Sequence, residues 1–130
     1  MPETAIVLDS SAILALIFGE RGASKFSAAM LENAVVSAVN LAEVQTKLVR
    51  LGHDPENAWN DALAWVSEVE PYTREQAKIS GTLVAQTQSR GLSLGDRSCL
   101  ALALVLGAPV YTADRLWHGL QVGVEIHIIR

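Results

Sequence analysis

Short apolar runs that alternate with stretches of helical spacing constrain the fold of this chain more than any other feature. We predict strands at residues 5–8, 34–37, 69–72, 108–112 and 125–129. Continuous apolar runs such as 5–8 are typical of strands in a parallel sheet that is covered on both faces. The alternation with helices therefore predicts an α/β fold, a three-layer sandwich with a central, mostly parallel sheet of about five strands.

Capping residues, prolines and glycines mark the helices between these strands. Asp54 is suited to cap a helix that begins at Pro55. Proline is favourable at the first helical position, because the N–H that it lacks would have no hydrogen-bond partner there. Gly91 is placed to end a long helix. We predict the other helices at residues 12–18, 23–31, 41–51, 74–90 and 96–106.

The composition is that of one globular domain, which we expect to span residues 1–130. Half of the 130 residues are hydrophobic and 18% are charged, which excludes a disordered chain. No segment has the roughly 20 apolar residues of a membrane span, and no basic residue precedes the first apolar stretch, so we expect neither a membrane anchor nor a secretory signal. The single cysteine, Cys99, fits a reducing compartment, and we expect a cytoplasmic protein.

Four carboxylates stand where such a fold brings side chains together. Asp9 and Asp114 follow predicted strands, whereas Asp96 opens a predicted helix and Glu43 lies within another. In open parallel sheets ligands bind at the carboxyl ends of the strands, so Asp9 and Asp114 belong to one edge, and Asp96 can face it. An unpaired carboxylate is a costly core residue but a good ligand for a hard cation such as Mg²⁺. The pattern predicts a cation site that activates water and holds a phosphate.

Each of these acids also has a structural explanation that the residues alone leave open. Asp9 and Asp96 can cap helices, and Asp114 can be a turn residue. Glu43 can form an exposed ion pair with Lys47, four residues later on its helix. The net charge of −4 argues against a protein that coats nucleic acid. Without the four acids the formal charge is zero, so the acidity can belong to one local site.

Four segments, in order along the chain, resemble the PIN domain, and more narrowly the VapC-type toxins of bacterial toxin–antitoxin pairs. The segments are residues 7–12 (VLDSSA), 41–44 (LAEV), 94–103 (LGDRSCLALA) and 111–114 (YTAD). The resemblance extends over essentially the whole chain. It implies an endoribonuclease that hydrolyses RNA phosphodiester bonds with metal-activated water, with Mg²⁺ or Mn²⁺ as the cofactor.

The resemblance also implies roles for individual residues and partners. The implied partners are a cognate small antitoxin protein and a second copy of the chain in a homodimer. Asn40 stands where related chains often have Ser or Thr, and we expect no loss of activity from this difference. The implied site is catalytic Asp9, Glu43, Asp96 and Asp114, with Asp9, Asp96 and Asp114 as metal ligands and Ser10 and Thr112 in support.

Two other classes of protein remain open. A phosphoacceptor signalling domain has a similar length and sheet, but it needs paired acids after the first strand and a lysine late in the chain. Asp9 has no acidic neighbour, and no lysine follows Lys78. A catalytically inactive PIN-like binding module would keep the fold for partner contacts, and the four acids argue against it.

If RNA is the substrate, basic side chains must meet its phosphates. Arg97 and Arg115, which directly follow two of the acids, are the candidates that we name for this contact. The basic residues considered for phosphate contacts are Lys47, Arg50, Arg90, Arg97 and Arg115.

Overall fold

Five short strands form the central sheet of the computed structural model, which describes residues 4–130. They are arranged in the order β3–β2–β1–β4–β5, and neighbouring strands are parallel. The predicted α/β class with a parallel sheet of five strands is confirmed, and the first three residues of the predicted domain lie outside the described part. The strands are β1 (Ile6–Leu8), β2 (Ala34–Ser37), β3 (Glu68–Glu70), β4 (Val110–Thr112) and β5 (Ile126–Ile128).

Helices connect the strands on both faces of the sheet. Short 3₁₀ helices lie at Ala23–Lys25, Gln88–Arg90 and Arg115–Trp117. Within residues 4–130, no helix has both the length and the apolar character needed to cross a membrane. The α-helices of this part are α1 (Ser10–Phe18), α2 (Ala28–Leu31), α3 (Ala38–Arg50), α4 (Pro55–Leu63), α5 (Arg74–Thr82), α6 (Val84–Thr87) and α7 (Leu94–Leu106).

The two faces of the sheet bury two separate apolar cores, as a three-layer sandwich requires. Ile6 and Leu8 of β1 belong to the core that α1, α3 and α4 complete, whereas Val7 belongs to the core that α7 completes. Successive residues of a strand point to opposite faces, so a strand that is buried on both sides must be apolar throughout. The central strand β1 is fully buried for this reason.

Two predicted helices are interrupted in the structure. The region 23–31 contains a 3₁₀ helix and α2, because the backbone of Phe26 is extended and Ser27 then caps α2. The region 74–90 is divided into α5, α6 and a 3₁₀ helix, and the first interruption follows Gly81, a residue that weakens helices. In both regions a local interruption divides a stretch that we predicted as one continuous helix.

Candidate active site

The predicted site lies at the carboxyl edge of the sheet, between β1 and β4. From β1 the chain passes to β2 and β3 on one side, and β4 and β5 lie on the other side, so the strand order reverses here. Ligands of open α/β sheets bind at such a point. Leu8 and Tyr111 are paired in register. The residues that follow them, Asp9 and Thr112, are therefore neighbours across the two strands.

Asp9 is the buried centre of this edge, with only 2% of its surface exposed. Its Oδ2 accepts a hydrogen bond of 2.6 Å from the Thr112 hydroxyl, and the Ser11 hydroxyl lies 2.8 Å from Oδ1 and 2.9 Å from Oδ2. Oδ1 also accepts a 2.9 Å hydrogen bond from the backbone N–H of Ala12, so Asp9 does cap α1. Capping accounts only for the contact with Ala12, and none of the contacts neutralises the negative charge of Asp9.

The electrostatic state of Asp9 is unusual for an aspartate. Burial raises its pKa from 3.8 to about 6, although the hydrogen bonds from Thr112, Ala12 and Ser11 lower it. The nearby charge of Asp96 raises the pKa further. None of the four acids forms an ion pair with a residue of the described part. A buried carboxylate with a raised pKa and no cationic partner is stabilised when it binds a proton or a cation.

Asp96 reaches the same edge from the first turn of α7. The helix begins at Leu94 with Ser93 as its cap, so Asp96 is the third helical residue and not the first. Asp96 and Ser93 form a capping box with hydrogen bonds of 2.9 and 3.2 Å. Burial raises the pKa of Asp96, and the charge of Asp114 raises it further. Asp114 follows β4, where its Oδ1 accepts a 2.9 Å hydrogen bond from the N–H of Leu116.

The hydroxyl groups of Ser11 and Thr112 connect the end of β1 to the end of β4. The Thr112 hydroxyl donates to Asp9 and accepts a 3.0 Å hydrogen bond from the N–H of Asp114. Ser11 contacts Asp9 and the Thr112 hydroxyl, the latter at 3.2 Å. Ser10, the serine predicted to support the site, lines a groove beside α3 together with Glu43, and its supporting role stays a prediction. Ser11 was not predicted from the sequence, although a hydroxyl two residues after a capping acid is a common local hydrogen-bonding pattern.

Glu43 is held against the first turn of α7. Asn40 Nδ2 donates to Glu43 Oε1 at 2.8 Å and to the backbone oxygen of Gly95 at 3.0 Å. A Cβ atom at Gly95 would overlap the Glu43 carboxylate, so the absence of a side chain makes room for it. The alternative ion pair with Lys47 does not form. Asn40 was not predicted as a supporting residue, although its spacing of three from Glu43 places both on one face of a helix.

The four acids converge without forming a ready cage for a cation. Burial raises the pKa of the Cys99 thiol on α7, and the nearby charges of Asp9, Asp96 and Glu43 raise it further. Among residues 4–130, no three His, Cys, Asp or Glu side chains meet as ligands of one metal ion. Each carboxylate is instead turned toward a hydrogen-bond donor of its own.

The two arginines that were candidates for phosphate binding are placed differently. Arg97 Nη1 donates to the backbone oxygen of Ser80 at 2.9 Å, which ties α7 to α5. Arg115 is exposed in the 3₁₀ helix that follows Asp114. Their role in binding phosphate stays a prediction.

Comparison with known proteins identifies relatives of this fold. The sequence model of the family described as PIN domain matches residues 6–120 of the chain. A search of curated proteins finds no match.

Several solved structures superpose on nearly the whole chain. DNA-bound VapBC from Salmonella typhimurium has a TM-score of 0.75 at 18% identity and covers 97% of this chain and 98% of its own. VapC20 of Mycobacterium tuberculosis, described as a sarcin–ricin loop cleaving toxin, has a TM-score of 0.72 at 23% identity, with 93% and 99% covered. A toxin–antitoxin complex from Klebsiella pneumoniae has a TM-score of 0.68 at 21% identity, with 94% and 100% covered. At these identities the likeness is one of fold.

Proposed function

The chain belongs to the PIN domain family, and from this premise we propose that it is a metal-dependent endoribonuclease, the toxin of a toxin–antitoxin pair. The main support is the buried carboxylate of Asp9, which lies beside Asp96 at the switch point of the sheet and has no cationic partner within the described residues. Such a charge lowers the stability of the fold, and a cation needed for the reaction would offset that cost.

The chemistry of the donors fits Mg²⁺ or Mn²⁺, with Asp9, Asp96 and Asp114 as the ligands that we propose. Hard divalent cations prefer carboxylate and water oxygens. Asp9 and Asp96 have pKa values raised by burial and by a neighbouring carboxylate, and a cation removes that repulsion. When bound, the cation would supply Lewis acidity, which lowers the pKa of water and balances the charge of a phosphate.

Glu43 is the residue that we propose as the acceptor of the proton from the attacking water. Asn40 engages its Oε1 atom, which leaves Oε2 to accept that proton. The Oδ1 atom of Asn40 is buried without a hydrogen-bond partner in the described part of the chain. Thr112 and Ser11 meanwhile hold the Asp9 carboxylate in one orientation.

The names of the structural relatives support the substrate and partners that we propose. One relative is described as a toxin that cleaves the sarcin–ricin loop, and another is a toxin–antitoxin complex. We propose RNA as the substrate of this chain, a cognate small antitoxin as its inhibitor and a homodimer as its working form. The chain would act as a single nuclease domain in the cytoplasm.

A cleavage assay on the purified chain tests the proposed function. We expect internal cleavage of RNA when Mg²⁺ or Mn²⁺ is present and no cleavage in EDTA, followed as new fragments on a denaturing gel. Absence of metal-dependent cleavage across a panel of structured and single-stranded RNAs would contradict the proposal. Transfer of a phosphoryl group to Asp9 from a small phosphodonor would instead indicate a phosphoacceptor domain.

The substitution Gly95→Ala separates activity from stability at this site. The added methyl group overlaps the end of the Glu43 side chain, which is flexible and can move aside. Alanine favours a helix over glycine by up to about 1 kcal/mol, so we expect an unchanged or higher free energy of unfolding. Because Glu43 is displaced from its place against Gly95, we expect RNA cleavage to fall by roughly tenfold to a hundredfold.

Gly81→Ala is the matched control for this substitution. Gly81 also lies in a helix, but a Cβ atom there meets nothing within 4 Å. The control should gain stability and keep full activity, measured by thermal melting and by the initial rate of cleavage. If Gly95→Ala is as active as Gly81→Ala, the contact between Gly95 and Glu43 has no part in the reaction.

A further inference from the structure

A groove runs beside the acidic site, between α1 and α3. We propose that this groove holds the RNA strand next to the scissile phosphate, with Lys47 and Arg50 binding phosphates of the flanking nucleotides. The proposal rests on the proposed nuclease function, and it selects these two residues from the five basic residues that the sequence offers for phosphate contacts.

One face of α3 forms a complete wall of the groove, which has a volume of about 660 Å³. The opposite wall comes from Ser10 and Leu14 of α1. A helix places residues three and four apart on the same face, so the α3 wall is one continuous stripe. The α3 residues of the wall are Val39, Ala42, Glu43, Thr46, Lys47 and Arg50.

The groove connects the site to two cations along the axis of α3. Ser10, which follows Asp9 in the chain, lines the groove, and so does Glu43, whose carboxylate lies against Gly95, the residue before Asp96. Lys47 and Arg50 follow Glu43 by four and seven residues, which corresponds to about 6 and 10 Å along the helix. A second concavity continues past Arg50 toward Pro55 at the start of α4. A strand bound at the acids can therefore follow the groove away from the reacting phosphate.

Both cations are available to a ligand. Lys47 and Arg50 are exposed, and neither forms an ion pair with another residue of the described part. The favourable effect of cations near the end of a helix explains why basic residues occur in the last turn of α3. It does not explain why both lie on the side that faces the groove. Arg97 is less available, because it is engaged with the backbone of Ser80.

The lining of the groove favours a nucleic-acid backbone as its occupant. Leu14, Val39 and Ala42 give the groove a neutral lining beside its charged side chains. Of the described residues that line the groove, none is aromatic, so the bases have no stacking partner. Contacts to phosphate position a strand but do not read its sequence. We therefore expect the groove to contribute affinity and orientation, without a preference for particular bases.

Binding measurements on charge-removal variants test the groove directly. The double variant Lys47→Ala, Arg50→Ala is compared with the matched control Arg74→Ala, Lys78→Ala, which removes the same two charges from exposed positions on α5. Both pairs are made in an Asp96→Asn background, so that the RNA is not consumed. Fluorescence anisotropy with a labelled single-stranded RNA gives Kd at several salt concentrations.

We expect the groove variant to bind RNA at least about tenfold more weakly at low salt, whereas the control binds like its parent. A plot of the logarithm of the binding constant against the logarithm of the salt concentration has a negative slope. Its magnitude should decrease by about 0.7 for each phosphate that the variant no longer neutralises. In the background with Asp96 intact, we expect KM to rise while kcat stays within about twofold, because these contacts are remote from the reacting phosphate.

Shortening the RNA adds a second test. Removing the nucleotides on one side of the scissile phosphate should abolish the difference between the groove variant and its parent, and removing those on the other side should preserve it. An unchanged Kd and salt slope in the groove variant would overturn the proposal, whether or not the chain cleaves RNA. Loss of antitoxin binding with RNA binding intact would also overturn it, since the groove would then be a protein interface.

Discussion

Asp96→Asn is expected to lower metal-dependent RNA cleavage on the order of 100-fold or more, and Asp9→Asn and Asp114→Asn should do the same. An amide has nearly the shape of a carboxylate but lacks the charge that holds a cation, and removing one electrostatic contribution to a transition state commonly has an effect of this size. The fold should survive, because the amide oxygen can still accept the hydrogen bonds that Asp96 takes from Ser93 and Asp114 takes from Leu116.

Asp54→Asn is the control for these substitutions. Asp54 also accepts a backbone hydrogen bond as a helix cap, from Asn57 at 3.1 Å, but it is exposed at the start of α4 and belongs to none of the site's contacts. It should cleave RNA like the wild type. Circular dichroism checks the fold of every variant, and single-turnover rates measure cleavage. Near wild-type rates in any two of the three site variants would end the assignment of these acids.

The second large effect concerns the stability of the metal-free protein. The pKa of Asp9 is about 6 in the folded state and 3.8 as an ordinary aspartate, so the folded state binds the proton more tightly. Stability from this group is therefore highest below pH 3.8, falls as the pH rises to about 6, and stays low above it. At about 1.4 kcal/mol per pKa unit, the loss at neutral pH is roughly 3 kcal/mol.

The contribution of Asp9 can be isolated by comparing the wild type with Asp9→Asn across pH in EDTA. Near pH 3.5 the two proteins should have similar free energies of unfolding, because Asp9 is then protonated. By pH 7 the variant should be the more stable by roughly 3 kcal/mol, less any loss from altered hydrogen bonds to Thr112 and Ser11. Urea unfolding at each pH measures this difference. A difference that stays constant with pH would mean that Asp9 titrates as an ordinary aspartate.

Metal should narrow the difference in stability between the two proteins at neutral pH. A cation that binds only the folded state raises stability with the logarithm of its concentration. Millimolar Mg²⁺ or Mn²⁺ should therefore stabilise the wild type at neutral pH and have much less effect on Asp9→Asn. Equal shifts in the two proteins would show that the cation binds elsewhere.

Much of the fold follows from local patterns in the sequence. The apolar run before Asp9 predicts a strand buried on both faces, because alternate residues of a strand serve opposite cores. Asp54 with Pro55, and Gly91, mark helix ends that the structure confirms, since caps and glycines act through their own backbone neighbours. Such patterns fail where two local effects compete, as at Phe26 and Gly81.

The sequence by itself determined the α/β class, the parallel sheet and the edge at which Asp9 and Asp114 belong, because periodicity and strand direction are properties of neighbouring residues. Only the tertiary structure decided which hydroxyl groups hold Asp9. It also decided that Asn40 and Gly95 hold Glu43 against the first turn of α7. It also decided that Lys47 does not pair with Glu43 but lines the groove with Arg50. These are contacts between residues far apart in the chain or choices among rotamers, and packing sets both.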